Sequence, residues 1–465
     1  MYTILAVFCF FAFYVVYCAI YPLINNPLFD LPGPPVTSWF TSHLPALLNP
    51  KVSPRAHDAI FKWDDHLLTI NLVALPHIMK NFMIYQKPWQ SRSIIDRLVG
   101  CGLLSAEGMV HKRQHRVCTA AFSRQNQHAF VPLALKQAEE LRETLMNLIG
   151  GKDSAQIDIC DWTNRATFNI ICGFNYNSSA IKNDTDELLN ACHDMFETAT
   201  GGTLWQTFLY IYIPFPDNTT RIVKQCRDVI RHVASDIIRE KKCRTVQEEK
   251  SVKANGATDL QEDQCISYED ILNNVNTFMF VGSDTSALHL SWTFLLLAQQ
   301  QDVQTHLCKE ILTVPVPFSD IATATTKELQ LFYSAIASLP YLNNIIWESL
   351  QLIPPIHSLL CSDVDLHTIH ICKGMFVHML IEATNLSKFV WGEDAWEFKP
   401  DRWDCLPEAA LQNPGVYLNT LTFSAGPRSC IGLHFVIIEL RTFIYVLLSR
   451  FVFSLMDEKI VPSNV

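Results

Sequence analysis

Phe423-Ser424-Ala425-Gly426-Pro427-Arg428-Ser429-Cys430-Ile431-Gly432 is the stretch from which the rest of the chain can be read. A Gly-Pro pair cannot continue regular structure, so residues 426–427 predict a tight turn. That turn presents Cys430 just as an apolar-periodic helix opens near Gly432. A thiol at a helix N-terminus gains from the dipole and the free amides, which favour the thiolate, the form in which cysteine ligates a metal. Gly426 and Gly432 lack a Cβ and let backbone approach a flat group closely. Arg428 adds a forked cation suited to a carboxylate. On these residue types alone, an ordinary turn holding a buried cysteine stays open.

The helix after the loop covers residues 432–450, and apolar-periodic patterns also predict helices over 130–150, 221–242, 267–300 and 340–352. Residues 241–265 are charged and contain Gly and Asn, which predicts an exposed loop. Strand-like alternation is sparse and clearest over 366–382. The fold class is therefore mainly α with a minor β-sheet. At 465 residues the chain can bury a large core, and it shows no internal repeat. Residues 1–20 carry no charge and, as a helix, match the thickness of a bilayer. This predicts a transmembrane anchor over 1–21, a Pro-rich linker over 22–36 around Leu31-Pro32-Gly33-Pro34-Pro35, and one domain over 37–465. A net charge of −10 argues against a nucleic-acid partner. The 15 cysteines are scattered without framework spacing, which suits reduced, buried thiols.

Ser267-Tyr268-Glu269-Asp270 is a capping-box variant that opens the longest predicted helix. Its pattern is apolar nearly all round, as in a buried helix, but Gly282-Ser283-Asp284-Thr285-Ser286 breaks it. Acids and hydroxyls in such a place are costly unless paired. The Thr285 hydroxyl either bonds back to the carbonyl of Val281 or handles protons.

Together, the cysteine loop, this central helix, Trp347-Glu348 and Phe398-Lys399-Pro400-Asp401-Arg402-Trp403 resemble the cytochromes P450, over residues 30–455. The sequence looks nearest to membrane-anchored fungal members associated with secondary metabolism. The resemblance implies a P450-like fold behind the anchor, with haem b as cofactor. Cys430 is then the axial ligand of the iron, Phe423 packs near its sulfur, and Gly426, Arg428 and Gly432 belong to the cofactor site. Thr285 and Asp284 become the proton-delivery pair, where the family's glycine permits a local distortion of the helix. Pocket residues would come from Leu98–Leu104, Leu204–Phe208, Phe278–Gly282 and Pro355–Leu359.

Several positions depart from the family pattern. Gln351 replaces an arginine that normally joins Glu348 and Arg402 in a structural triad, so one charge-assisted fork is lost. His111 and His115 stand where tryptophan and arginine usually reach a haem propionate, and protonated imidazole would bind it pH-dependently. The neighbouring Lys112, Arg113 and Arg116 are either solvated or a docking patch for an acidic partner. Val281 crowds the oxygen pocket, and the chain looks clipped near residues 63–68 and after the last helix.

Two functions follow. One is a monooxygenase that inserts one oxygen atom into a lipophilic small molecule, fed by an external NADPH-cytochrome P450 reductase, since no Gly-x-Gly-x-x-Gly follows a strand. It would sit in the endoplasmic reticulum membrane with its domain facing the cytosol. The other is a non-catalytic or degraded haem-binding member. Zinc-hydrolase and serine-hydrolase signatures are absent.

Overall fold

The computed structural model describes residues 74–456 apart from 124–125, 127–128, 177–187, 193, 196–217, 253–266, 318–320, 322, 357, 363–364, 367–368, 371–375 and 416. The expected anchor and linker, the clipped segment 63–68 and Leu204–Phe208 lie outside the described residues. No described helix is long and apolar enough to cross a membrane.

Helices dominate. They are α1 (Ala74–Lys80), α2 (Trp89–Leu98), α3 (Gly108–Ala121), α4 (Phe130–Ile149), α5 (Ile159–Tyr176), α6 (Asn218–Val252), α7 (Tyr268–Gln299), α8 (Gln301–Ile311), α9 (Thr326–Ala337), α10 (Pro340–Leu352) and α11 (Leu433–Leu448). The predicted helices are present, with ends displaced by a few residues. One is longer than expected: α6 continues to Val252, so Lys241–Val252 is helix rather than loop. The stretch holds three lysines and two glutamates, which are good helix formers, so its polarity does not signal a break.

α7 begins as its sequence requires. Ser267 Oγ accepts from the Asp270 amide at 3.0 Å, and the Asp270 carboxylate accepts from the Ser267 amide at 3.1 Å. Gln114 Nε2 on α3 donates to the same carboxylate at 3.1 Å, and Arg113 reaches it at 3.4 Å. Arg113 thus has an acidic partner on α7 while its side chain stays 40 % exposed.

α5 lies along α7. The hydroxyl of Thr163 donates to the Ala287 carbonyl at 3.3 Å, and that of Thr167 to the Ser283 carbonyl at 3.2 Å. A Cβ at Gly282 would come within 2.9 Å of the Ile171 side chain. The glycine thus admits Ile171 between the two helices. α7 runs unbroken as α-helix, so the distortion expected at Gly282 is not there: close helix packing uses the missing Cβ. α11 buries 13 of its residues against α4, α7 and α10 and closes the core.

The sheet is small. Ser358–Ser362 pairs antiparallel with Phe376–Leu380, Ser358 opposite Leu380. Asp365–Leu366 pairs with Ile369–His370. The alternation over 366–382 therefore marks only part of it, and Ile381–Asn385 is a helical turn.

Candidate active site

Cys430 lies on the wall of an apolar cavity of about 310 Å3 between α7 and the loop before α11. That loop is fixed by its own backbone. The Cys430 amide donates to the Phe423 carbonyl at 3.0 Å, and the Ser429 amide to the Gly426 carbonyl at 3.0 Å. Gly426 has φ +71°, and a Cβ there would stand 2.5 Å from the Met79 carbonyl oxygen. It thus makes room for α1. Ser424 also takes positive φ, which nothing in its residue type announces.

The Cys430 thiol is exposed only in the sense that it faces the cavity, with protein around it. That burial raises its pKa, while the amides of Gly432 and Leu433 at the start of α11 pull it down. The amides act in the expected direction, and burial outweighs them. A coordinated cation would deprotonate the sulfur outright. A Cβ at Gly432 would lie 3.9 Å from Sγ, so this position leaves the sulfur unobstructed. Phe423 is buried beside it and lines the same cavity.

Across the cavity wall stand Phe278, Val281, Gly282 and Thr285 of α7. Thr285 Oγ donates to the Val281 carbonyl at 2.9 Å, the back-bonded alternative left open by the sequence. Its oxygen keeps lone pairs to accept a further bond. Asp284 does not line the cavity. Its charge is felt by Cys160 and Cys192. The expected pocket stretches contribute Leu103, Leu104, Pro355, Ile356 and Leu359 as well.

One edge of this apolar space is basic. Lys87, His111, His115 and Arg428 all border it. Arg428 donates to the carbonyls of Tyr85 at 2.8 Å and Phe82 at 3.0 Å, and pairs with Glu107. Burial pulls the Lys87 ammonium down to about 8, with Glu107 opposing. His111 falls to about 3, through burial first and then the charges of Lys87, His115 and Arg428. The expected imidazolium is therefore a neutral ring here, and His111 Nδ1 is buried without a partner. Burial also lowers the pKa of His115, whose partners are Thr119 and the Ser429 backbone.

The residues fit a haem. The cavity offers apolar walls and a soft axial donor. On the basic edge, His111 Nδ1 and His115 Nε2 are buried without a hydrogen-bond partner, and a ring N–H beside Lys87 and Arg428 suits a propionate.

Beneath the site, Glu348 is fully buried and Arg402 nearly so. Glu348 accepts from Arg402 Nε at 3.1 Å on both oxygens, from Trp403 Nε1 at 2.9 Å and from the Lys399 amide at 2.7 Å. Gln351 takes no part in this. Its Nε2 donates to the carbonyls of Asn385 and, at 3.3 Å, Ala395. Sequence reasoning missed Lys87, Glu107 and Trp403. Only Trp403, next to Arg402, carried a signal.

The family model described as cytochrome P450 matches residues 55–464. Cytochrome P450 monooxygenase 128 of Postia placenta is 30 % identical over 93 % of this chain and 87 % of its own length. Cytochrome P450 monooxygenase 205 of the same fungus is 29 % identical over the same shares. A ganoderic acid synthetase of Ganoderma lucidum is 27 % identical over 94 % of this chain and 90 % of its own length. The chain belongs to the cytochrome P450 family, as a haem-dependent monooxygenase resembling fungal members.

Proposed function

We propose that this monooxygenase oxidises a lipophilic small molecule in the cavity above Cys430, with electrons from NADPH-cytochrome P450 reductase. The observation that carries the reading is the shared cavity: Cys430, Thr285 and a basic edge all border one apolar space. When bound, haem supplies the redox and dioxygen chemistry, and thiolate ligation favours O–O cleavage.

The chain's own residues do the remainder. Cys430 would hold the haem iron through its sulfur, which the amides of Gly432 and Leu433 steady. Lys87, His111, His115 and Arg428 would hold the propionates. Phe278, Val281 and Leu103 exclude water and orient an apolar substrate. Thr285 holds a proton at Oγ, parked on the Val281 carbonyl, and Asp284 is the acid behind it on the neighbouring face.

The relative named ganoderic acid synthetase supports a role in secondary metabolism. The uncharged run over residues 1–20 supports an anchor over 1–21, in the endoplasmic reticulum membrane with the catalytic domain facing the cytosol. Gln351 motivates the non-catalytic alternative, but Glu348 keeps its full set of donors without it.

The test is the ferrous–CO spectrum of the membrane-expressed protein beside Cys430→Ala. A thiolate-type Soret shift is expected in the wild type and absent from the variant. A variant that keeps the same shift would remove Cys430 as ligand. Substrates are then sought by spin-state titration with a lipophilic panel.

A further inference from the structure

His289 sits on α7 one helical turn beyond Thr285, so the two side chains share a face, and both border the cavity. A histidine is an odd choice there. The ring is fully buried in a core of Leu290, Thr293, Leu350 and Ser349, where an aliphatic residue would pack at less cost.

Its hydrogen bonds assign the proton. Ser349 Oγ donates to the Ile346 carbonyl at 3.0 Å, which spends its one hydrogen. His289 Nε2, 3.0 Å from the same Oγ, is therefore the donor of that pair. The lone pair then falls on Nδ1, which is buried and lacks a hydrogen-bond partner. Burial drives the ring's pKa down to about 4, with the Ile353 backbone opposing, so the imidazole is neutral and Nδ1 remains an acceptor. A bare acceptor in a protein interior is costly unless something fills it. Thr285 presents a second acceptor a turn away, because its own hydrogen is spent on Val281.

We propose that His289 is a positioning residue for the oxidation, its Nδ1 holding a water that donates its other hydrogen to Thr285 Oγ. One water between two acceptors four residues apart on a helix face would satisfy both groups. It also keeps an exchangeable hydrogen beside the proton-handling hydroxyl. His289 acts on the reaction through Thr285. This inference rests on the monooxygenase reading above.

Asparagine places an acceptor where Nδ1 stands, glutamine keeps a donor where Nε2 meets Ser349, and leucine keeps neither. The three variants therefore separate the water from the Ser349 bond. The probes are carbon monoxide on the ferrous protein, with its C–O stretch recorded in H2O and D2O, and reductase-driven peroxide release per NADPH. The wild type and His289→Asn should show a D2O-sensitive stretch and low peroxide. His289→Gln and His289→Leu should lose the isotope sensitivity and release several-fold more peroxide. A residue needed only for packing predicts the reverse order, with glutamine the better replacement. That result, or four indistinguishable proteins, would overturn the proposal. Failure of the monooxygenase reading looks different: the wild type itself would lack the thiolate-type CO spectrum.

Discussion

Arg402 Nε stands 3.1 Å from both carboxylate oxygens of Glu348, inside a core that leaves the acid no exposed surface. The pair is well made, yet burial outweighs it. The Glu348 carboxyl is pushed from the usual 4.5 up to about 7 by desolvation, with Arg402, the Lys399 amide and Trp403 opposing. A raised acid binds its proton more tightly in the folded state. Stability from this group is thus present below the unfolded pKa and lost as pH rises through the folded one. Relative to Glu348→Gln, the wild type should lose on the order of 3 kcal/mol between roughly pH 4.5 and 7. Chemical unfolding of both proteins across that range checks it. Parallel pH curves would mean that Glu348 titrates normally.

Gln351 tests the same core from the other end. Its amide satisfies two backbone carbonyls, Asn385 and Ala395, while its own Oε1 finds no partner. Gln351→Leu should cost about 1–3 kcal/mol for each carbonyl left dry. Gln351→Arg can serve both carbonyls and add a cation near Glu348, one turn earlier on α10. It should draw the carboxyl back toward its usual range, flatten the pH dependence above, and sharpen the ferrous–CO band. An unchanged slope in the arginine variant would show that position 351 does not reach Glu348.

These residues also show where reading the sequence stops. The cysteine loop, the caps of α7 and the span of α10 were legible because each depends on near neighbours: Gly-Pro, Ser267 with Asp270, Pro340 at a helix start. The basic edge was legible only in part. Arg428 sits in the motif, but Lys87 reaches the cavity from just before α2, and Glu107, just before α3, pairs with both, over separations that no local pattern encodes. Protonation was the least legible property. The helix terminus at Cys430 and the imidazoles of α3 suggest charge, and burial, a property of the whole fold, reverses both. Gly282 fits the family motif, but the side chain it accommodates, Ile171, belongs to another helix.

Gly426 couples the cysteine loop to α1. Its φ of +71° and the 2.5 Å approach of the Met79 carbonyl leave no place for a methyl group. Gly426→Ala should therefore cost about 1–3 kcal/mol in backbone strain, plus whatever α1 must move. The expected outcome is a lower melting temperature together with weaker haem retention on gel filtration. A variant with wild-type values for both would show that the loop relaxes freely.

Thr285 offers the cleanest separation of chemistry from folding. Its hydroxyl makes one bond, to Val281 within its own helix, and the α7 ladder does not need it. Alanine has the higher helix propensity, so Thr285→Ala should fold at least as well as the wild type. If the hydroxyl handles the proton, the variant should take up dioxygen from the reductase-driven reaction but release peroxide in place of product. A general acid of this kind is worth about a hundredfold or more in rate, so the loss should be plain. Thr285→Ser keeps the hydroxyl and should stay close to the wild type. Peroxide formed per NADPH consumed is the measurement, and equal ratios for alanine, serine and threonine would take Thr285 out of the mechanism.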